Sequence, residues 1–232
     1  MNETLYKGKK IVGLVTARAN SKRIPNKNLQ ELNGMPLISH SIIKAKKTGC
    51  FTDIYISSEN QEILETGHRF GAKKLIRPEK LSRDEILHPE LLVFCSKQLN
   101  FDFDMLVLLQ PTSPLRKVNT IKEAIDKFIE NWNEYDSLVP IYPFNEKTGH
   151  IKNNKYIFGI SNSIRSQDVD TVYVECGHIF IYKKNLLKNA KNIYGRNVYP
   201  FIIRDFWERI DIDTEEDLNL ARLYMDDKNG KE

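Results

Sequence analysis

The feature that most constrains the fold is a recurrence of short apolar runs that have no polar face. Ile11–Ala17 is nearly continuous in apolar residues, and Met105–Leu109 repeats the pattern. A strand half exposed to water alternates apolar and polar side chains. A run that is apolar at every position is a strand covered on both sides, as in a parallel sheet between helices. Between these runs the spacing becomes helical. Pro36 opens one such stretch, with Leu37, Ile38, Ser41, Ile42 and Ala45 in helical register, and Gly49 closes it. Asp53–Ser57 reads as a strand, Gln61–Phe70 as a helix stopped by Gly71, and Leu75–Ile76 as a brief third strand. Pro89–Leu99 and Val118–Trp132 are helical patterns on either side of the Met105–Leu109 strand. Strands alternating with helices predict a βαβ series, an α/β fold with a mostly parallel sheet and flanking helices.

The second part of the chain breaks that rhythm. Ser137–Tyr142 is a strand, Phe144–Ser166 is polar with a hairpin turn expected at Asn153-Asn154, and Val172–Tyr182 is strand-like. Residues 140–182 read as a β-rich flap inserted for dimer contact, with a decorated loop as the alternative. Strand character returns at Tyr199–Arg204 and Trp207–Ile212, Thr214–Tyr224 forms a last helix, and the tail from Asp226 to Glu232 is expected to fray. Residues 1–232 contain no internal repeat and no obvious linker, which favours a single Rossmann-like domain.

Composition excludes several classes. A net charge of +4 suits an anionic small molecule but is weak for a dedicated nucleic-acid binder, so no nucleic-acid partner is expected. Cys50, Cys95 and Cys176 are sparse and contain no Cys-x-x-Cys, against a disulfide framework or a zinc site. No stretch approaches the roughly 18 apolar residues of a membrane helix. The expectation is a cytoplasmic protein without a leader.

Two charged clusters carry the chemistry. Arg18, Lys22, Arg23 and Lys27 lie in one loop with no acid among them, directly after the first buried strand. Ligands of open α/β sheets bind at the carboxyl ends of the strands, and four cations there suit a triphosphate. The alternative is a solvated charge run. Neither a G-x-x-x-x-G-K-[ST] loop nor a G-x-G-x-x-G turn is present, so side chains would have to hold the phosphates. The second cluster is Asp211 and Asp213, flanking Ile212. In an extended segment, residues two apart face the same way. The pair could hold a hard divalent cation or merely precede a helix capped by Thr214 and Asp217. Between them in sequence, Gln110-Pro-Thr-Ser-Pro-Leu-Arg116 makes a rigid turn after the Met105–Leu109 strand. Arg116 could serve either a ligand or its neighbours.

Taken in order, Thr16-Ala-Arg-Ala-Asn-Ser-Lys-Arg-Ile-Pro-Asn-Lys-Asn28, Gly34-Met-Pro-Leu37, Ile56-Ser-Ser-Glu59, Arg77-Pro78, Leu109-Gln-Pro-Thr-Ser-Pro-Leu-Arg116 and Ile210-Asp-Ile-Asp-Thr-Glu-Glu-Asp217 resemble the acylneuraminate cytidylyltransferases, the CMP-sialic acid synthetases. The resemblance covers roughly residues 10–225. It implies a cytidylyltransferase that couples CTP to an acidic nine-carbon 2-keto sugar and releases pyrophosphate, with Mg²⁺ as cofactor and a homodimer as the assembly. It implies catalytic roles for Arg18, Lys22 and Lys27, and nucleotide contacts from Arg18, Asn20, Ser21, Lys22, Asn28, Ser58 and Arg77. Substrate contacts are implied for Gln110, Thr112, Ser113, Arg165, Gln167 and Cys176, and metal binding for Asp211 and Asp213. The rival readings are a nucleotidyltransferase for another sugar or base, such as an eight-carbon keto acid or GTP, and a catalytically quiet nucleotide-sugar-binding regulator. The chain departs from the family's pattern at Ala19, Arg23, Glu59, Arg83, Cys176 and His178. His178 is open to packing, a local hydrogen bond or a sugar contact.

Overall fold

The computed structural model describes residues 5–83, 85–99, 101–144, 148–158 and 171–229. Among the described residues, β2 Glu31–Leu32 and β3 Met35–Pro36 pair only with each other, and the main sheet has eight strands: β1 Ile11–Thr16, β4 Asp53–Ser58, β5 Lys73–Ile76, β6 Met105–Leu108, β7 Ser137–Phe144, β10 Val172–Glu175, β11 Phe180–Lys183 and β12 Val198–Ile202. The order is β10-β7-β11-β6-β1-β4-β5, with β12 paired to β7. β1 pairs in parallel with β4 and β6, β4 with β5, and β7 with β12, whereas β10 and β11 run against their neighbours. The mostly parallel α/β sheet is therefore as expected.

The continuous apolar runs have a simple cause. In β1, Ile11 and Val15 pack into one cluster while Val12 and Leu14 pack into another on the opposite face. In β6, Met105 and Val107 join the first cluster, and Leu106 and Leu108 the second. The first face is covered by helices α1 (Leu37–Thr48), α2 (Gln61–Arg69) and α4 (Val118–Glu130), through residues such as Ile42, Ile63 and Ile125. The second is covered by α3 (His88–Gln98) through Leu92 and Cys95. Helix α1 ends as read, with Gly49 at φ 68°, a conformation that costs glycine least.

The flap region is β-rich where it is described. β8 (Gly149–Lys152) and β9 (Lys155–Phe158) form a separate hairpin, and Asn153 and Asn154 turn it with φ of 51° and 58°, as a two-residue hairpin turn requires. Three expectations need correction. Val172–Tyr182 is not one strand: β10 and β11 lie successively along β7, interrupted at residues 176–179. Trp207–Arg209 is a 3₁₀ turn rather than a strand, because the Asp205 carboxylate accepts the Trp207 amide at 2.9 Å and starts the turn. The last helix, α5, runs from Glu215 to Asn229, so much of the supposed tail is helical. Among the described residues, no helix is long and apolar enough to cross a membrane.

A third apolar cluster builds the site. Ile24 from the cationic loop, Leu115 from the middle motif, Ile212 from between the two aspartates, and Leu218 and Ala221 from α5 pack together with Leu32 and Leu37. Segments distant in sequence are thereby pinned side by side at the carboxyl edge of the sheet.

Candidate active site

The loop after β1, the turn after β6 and the segment before α5 enclose a cleft of about 620 Å³. Arg18, Ser21, Lys22, Lys27, Asn28, Arg77, Gln110, Thr112, Asp211 and Asp213 all line it, together with Arg23 and Arg83. Ser58, Ser113, Cys176 and Asn20 are not among its lining residues. Ser58 is fully buried, and its hydroxyl accepts the Asn60 amide at 3.1 Å. The Cys176 thiol is buried against the Pro140 carbonyl at 3.8 Å, and Asn20 is exposed. Ser113 is buried beneath Gly177. Arg165 and Gln167 lie outside the described residues.

Backbone contacts shape the loop. The buried Asn28 amide donates to the Arg18 carbonyl at 2.9 Å, closing the loop on itself. Glu59 then ties it to the far wall. Its carboxylate accepts the Ala19 amide at 2.8 Å and the Arg77 guanidinium at 3.1 and 3.3 Å, and it also accepts the Ser82 hydroxyl. Burial alone would raise the Glu59 carboxyl, but Ser82, Ala19 and Arg77 more than reverse that and hold it below the ordinary range. Arg77 also donates to the Ala17 carbonyl at 3.1 Å, while its Nη1 is buried without a partner. His88, the first residue of α3, has its Nε2 buried and unpartnered in the same wall, beside Leu81, Ile86 and Leu91. Burial, helped by the Arg77 charge, pushes His88 down, so the ring is neutral at neutral pH.

The two aspartates behave differently. Asp213 is half exposed and binds Lys27 at 2.8 Å and Arg23 at 3.1 Å, while Lys27 also donates to the Ile212 carbonyl at 2.8 Å. Asp211 opens to the cleft, yet the surrounding protein withdraws it from bulk water. That desolvation raises its carboxyl and Asp213 adds to the effect, against Thr112, Lys27 and Arg116. Ile212 is fully buried between them, and its amide donates to the Thr112 carbonyl at 2.7 Å. The pair therefore shares a side, as the spacing predicts, although residues 210–213 form no strand. Asp217 accepts the amides of Asp213 and Thr214 at 3.0 and 2.8 Å, and the Thr214 hydroxyl accepts the Asp217 amide at 3.3 Å. This reciprocal cap fixes the aspartates to the start of α5.

Arg116 resolves to an internal role. It has no exposed surface, and it donates to Ser41 Oγ at 2.7 Å, the Gln110 carbonyl at 2.6 Å and the Gly177 carbonyl at 3.4 Å. His178 is likewise fully buried, with Nε2 3.0 Å from Glu208, so it packs in the interior and its hydrogen bond goes to a residue distant in sequence, while it does not line the cleft.

One cleft thus holds the cations of the loop after β1, an all-oxygen acidic pair that two of them contact, and the polar turn after β6, a set of groups that can handle an anion together with a hard cation. A family model described as Cytidylyltransferase matches residues 12–227. The chain belongs to the cytidylyltransferase family. This cytidylyltransferase is 30% identical, over 94% of its own length and 97% of the relative's, to the CMP-N,N'-diacetyllegionaminic acid synthase of Legionella pneumophila. It is 28% identical to the pseudaminic acid cytidylyltransferase of Campylobacter jejuni, over 90% of this chain and 94% of that one. It is also 28% identical to the N-acylneuraminate cytidylyltransferase of Escherichia coli O18:K1:H7, over 95% of this chain but 53% of that longer protein. In fold it resembles the CMP:2-keto-3-deoxy-manno-octonic acid synthetase solved with CTP, at a TM-score of 0.75 and 16% identity, covering 94% of this chain and 99% of that one.

His88, Ile86 and Ser82 were not singled out from the cytidylyltransferase's sequence, and neither was Glu208. The only local signal for His88 is its place at the start of a helix before Pro89. Glu208 gives none, since its partners are remote.

Proposed function

We propose that this protein transfers the cytidylyl group of CTP to an acidic nine-carbon 2-keto sugar, releasing pyrophosphate, as a Mg²⁺-dependent homodimer of the cytoplasm. The observation that carries the reading is that Arg18, Lys22 and Lys27 line the same cleft as Asp211 and Asp213, with Lys27 in contact with Asp213. In this reading the triphosphate lies along the cationic loop. The base enters the end walled by Leu81, Ile86 and Leu91, where Arg77 Nη1 and His88 Nε2 are buried without partners. Gln110 and Thr112 face the sugar, with Arg165 and Gln167 reaching it from the flap, which also carries the dimer contact.

The acidic pair fits Mg²⁺. Its donors are all oxygen, and burial together with Asp213 raises the Asp211 carboxyl, a condition that a bound cation relieves. Two carboxylates leave room for phosphate oxygens, the usual way Mg²⁺ is held. Asp211 and Asp213 would hold the ion, whose chemistry is to neutralise charge on the phosphates. The chain's own side chains do the rest. Lys27 and Arg23 of the loop are paired with Asp213, placed to exchange that carboxylate for phosphate oxygens. The sugar hydroxyl attacks the α-phosphorus in line and gives its proton to water, a P–O bond forms, the bond to the α,β-bridging oxygen breaks, and pyrophosphate leaves with that oxygen. Catalysis is positioning and charge neutralisation.

The test is pyrophosphate release with each of CTP, UTP, ATP and GTP against N-acetylneuraminic, legionaminic, pseudaminic and eight-carbon keto acids. CTP with a nine-carbon acid is expected to give turnover. None with any nine-carbon acid sinks the reading. Asp211→Asn and Asp213→Asn should each lower turnover at least about 100-fold, as expected of groups acting on transition-state charge.

A further inference from the structure

Behind the cleft wall, the buried Arg116, His178 and Glu208 form a closed circuit with the backbone of Gly177 and of the otherwise exposed Lys117. The Gly177 carbonyl accepts Arg116 Nη2 at 3.4 Å. Arg116 is bonded to Lys117, whose backbone amide donates to Glu208 Oε2 at 2.8 Å. The same oxygen is 3.0 Å from His178 Nε2, and His178 follows Gly177 in the chain. Three hydrogen bonds and two peptide bonds thus join the turn after β6, the break between β10 and β11, and the segment leading to Asp211. Thr120 Oγ1 donates to the other Glu208 oxygen at 3.0 Å. Arg116 and His178 have no exposed surface and Glu208 has 4%. None of the three lines the cleft.

What the circuit holds is tight. A methyl group on Gly177 would lie 2.5 Å from Gln110 Oε1, 2.9 Å from Ser113 Oγ and 3.2 Å from Asp211 Oδ2. Three polar tips from two segments, the turn after β6 and the stretch before α5, therefore converge on the Gly177 Cα, and small shifts in either segment would separate them. The circuit is also costly to bury. Desolvation pushes Arg116 down to about 9 and His178 down to about 4. Apolar replacement of such groups is often neutral or stabilising, so stability alone gives little reason for them.

We propose that His178 and Glu208 are positioning residues, whose hydrogen bond completes the circuit through Lys117, Arg116 and Gly177 and so sets the spacing of Gly177, Gln110 and Asp211 for the transfer step. The inference rests on the transfer reading above. His178→Leu, with CTP and the panel sugar that the unmodified chain turns over fastest, should lower kcat at least tenfold while the Kd for CTP stays within threefold. His178→Gln, long enough to donate to Glu208, should recover kcat to within threefold. Unchanged kcat in a folded His178→Leu protein, or a Gln variant as impaired as the Leu variant, overturns the proposal. If His178→Leu does not fold, His178→Asn, which keeps a donor but is too short to reach Glu208, is judged by the same kcat and Kd criteria. An unmodified chain with no turnover on any sugar removes the transfer reading instead. The circuit is then judged from a crystal structure of the Leu or Asn variant, where an unmoved Gly177–Asp211 separation refutes it.

Discussion

Ile24 and Ile212 are both fully buried and share one apolar cluster, although one belongs to the cationic loop and the other sits between the two cleft aspartates. Charged chemistry on both walls is thus anchored by a single hydrophobic contact region beneath it. Ile212→Ala should cost about 3 kcal/mol, within the usual range for a buried Ile, and should also reduce turnover by loosening Asp211 and Asp213. Urea denaturation and pyrophosphate release measure the two effects. A loss below about 1 kcal/mol with full turnover would contradict the anchoring role.

Gly177→Ala separates fold from function. The atoms that an added methyl group meets first are the Gln110 and Ser113 side-chain tips, and a flexible glutamine amide can swing away. The variant should therefore melt within a few degrees of the parent. Displacing Gln110 should raise the sugar KM by about tenfold, the loss of about one hydrogen bond. A change confined to the KM for CTP would contradict the placement of Gln110 on the sugar side.

Glu59→Ala removes the charge partner of a guanidinium with 3% side-chain exposure. Leaving Arg77 buried and unpaired should cost about 3 kcal/mol and should weaken CTP binding, because the Ala19 amide loses its anchor as well. Glu59→Gln keeps hydrogen-bonding atoms in place and should cost less than half as much. Calorimetric titration with CTP, alongside denaturation, tests both.

His178 predicts a pH effect. Burial holds its ring down at about 4, against 6.5 for a free imidazole side chain, so between these pH values the unfolded chain binds the extra proton and the folded one does not. Folding stability should be full above about pH 6.5 and should fall with acidification towards about pH 4, by up to about 3 kcal/mol from this residue. His40 and His88 are also pushed down by burial and contribute with the same sign. The difference between parent and His178→Gln isolates His178. Parallel stability–pH curves for the two proteins would refute its assignment as a buried neutral ring.

The legible parts were local. The β1 and β6 runs, the Asn153-Asn154 turn and the Thr214–Asp217 cap depend on neighbours within a few residues, and each forms as read. The motifs also named ten residues of one cleft, because those around Arg18, Arg77 and Gln110 directly follow β1, β5 and β6 and the sheet gathers strand ends, while Ile212 in the shared apolar cluster brings Asp211 and Asp213 to the same place. The illegible parts depend on distant partners. The Trp207–Ile212 segment alternates like a strand, yet Asp205 and the stacking of Trp207 on Tyr224 at 4.3 Å impose a turn. His178 and Glu208 meet across the fold, and nothing near either one in sequence marks the other as its partner.

The shared cluster under the cleft has a consequence for how the protein is made. The loop from Arg18 to Asn28 is synthesised early, but Ile212, Leu218 and Ala221, which complete the floor beneath it, come late. A nascent chain can assemble β1, β4 and β6 long before it owns a finished pocket. Competence should therefore switch on late in translation, when α5 leaves the ribosome and docks, so that stalled or shortened products carry the cationic loop without the floor that completes the cleft.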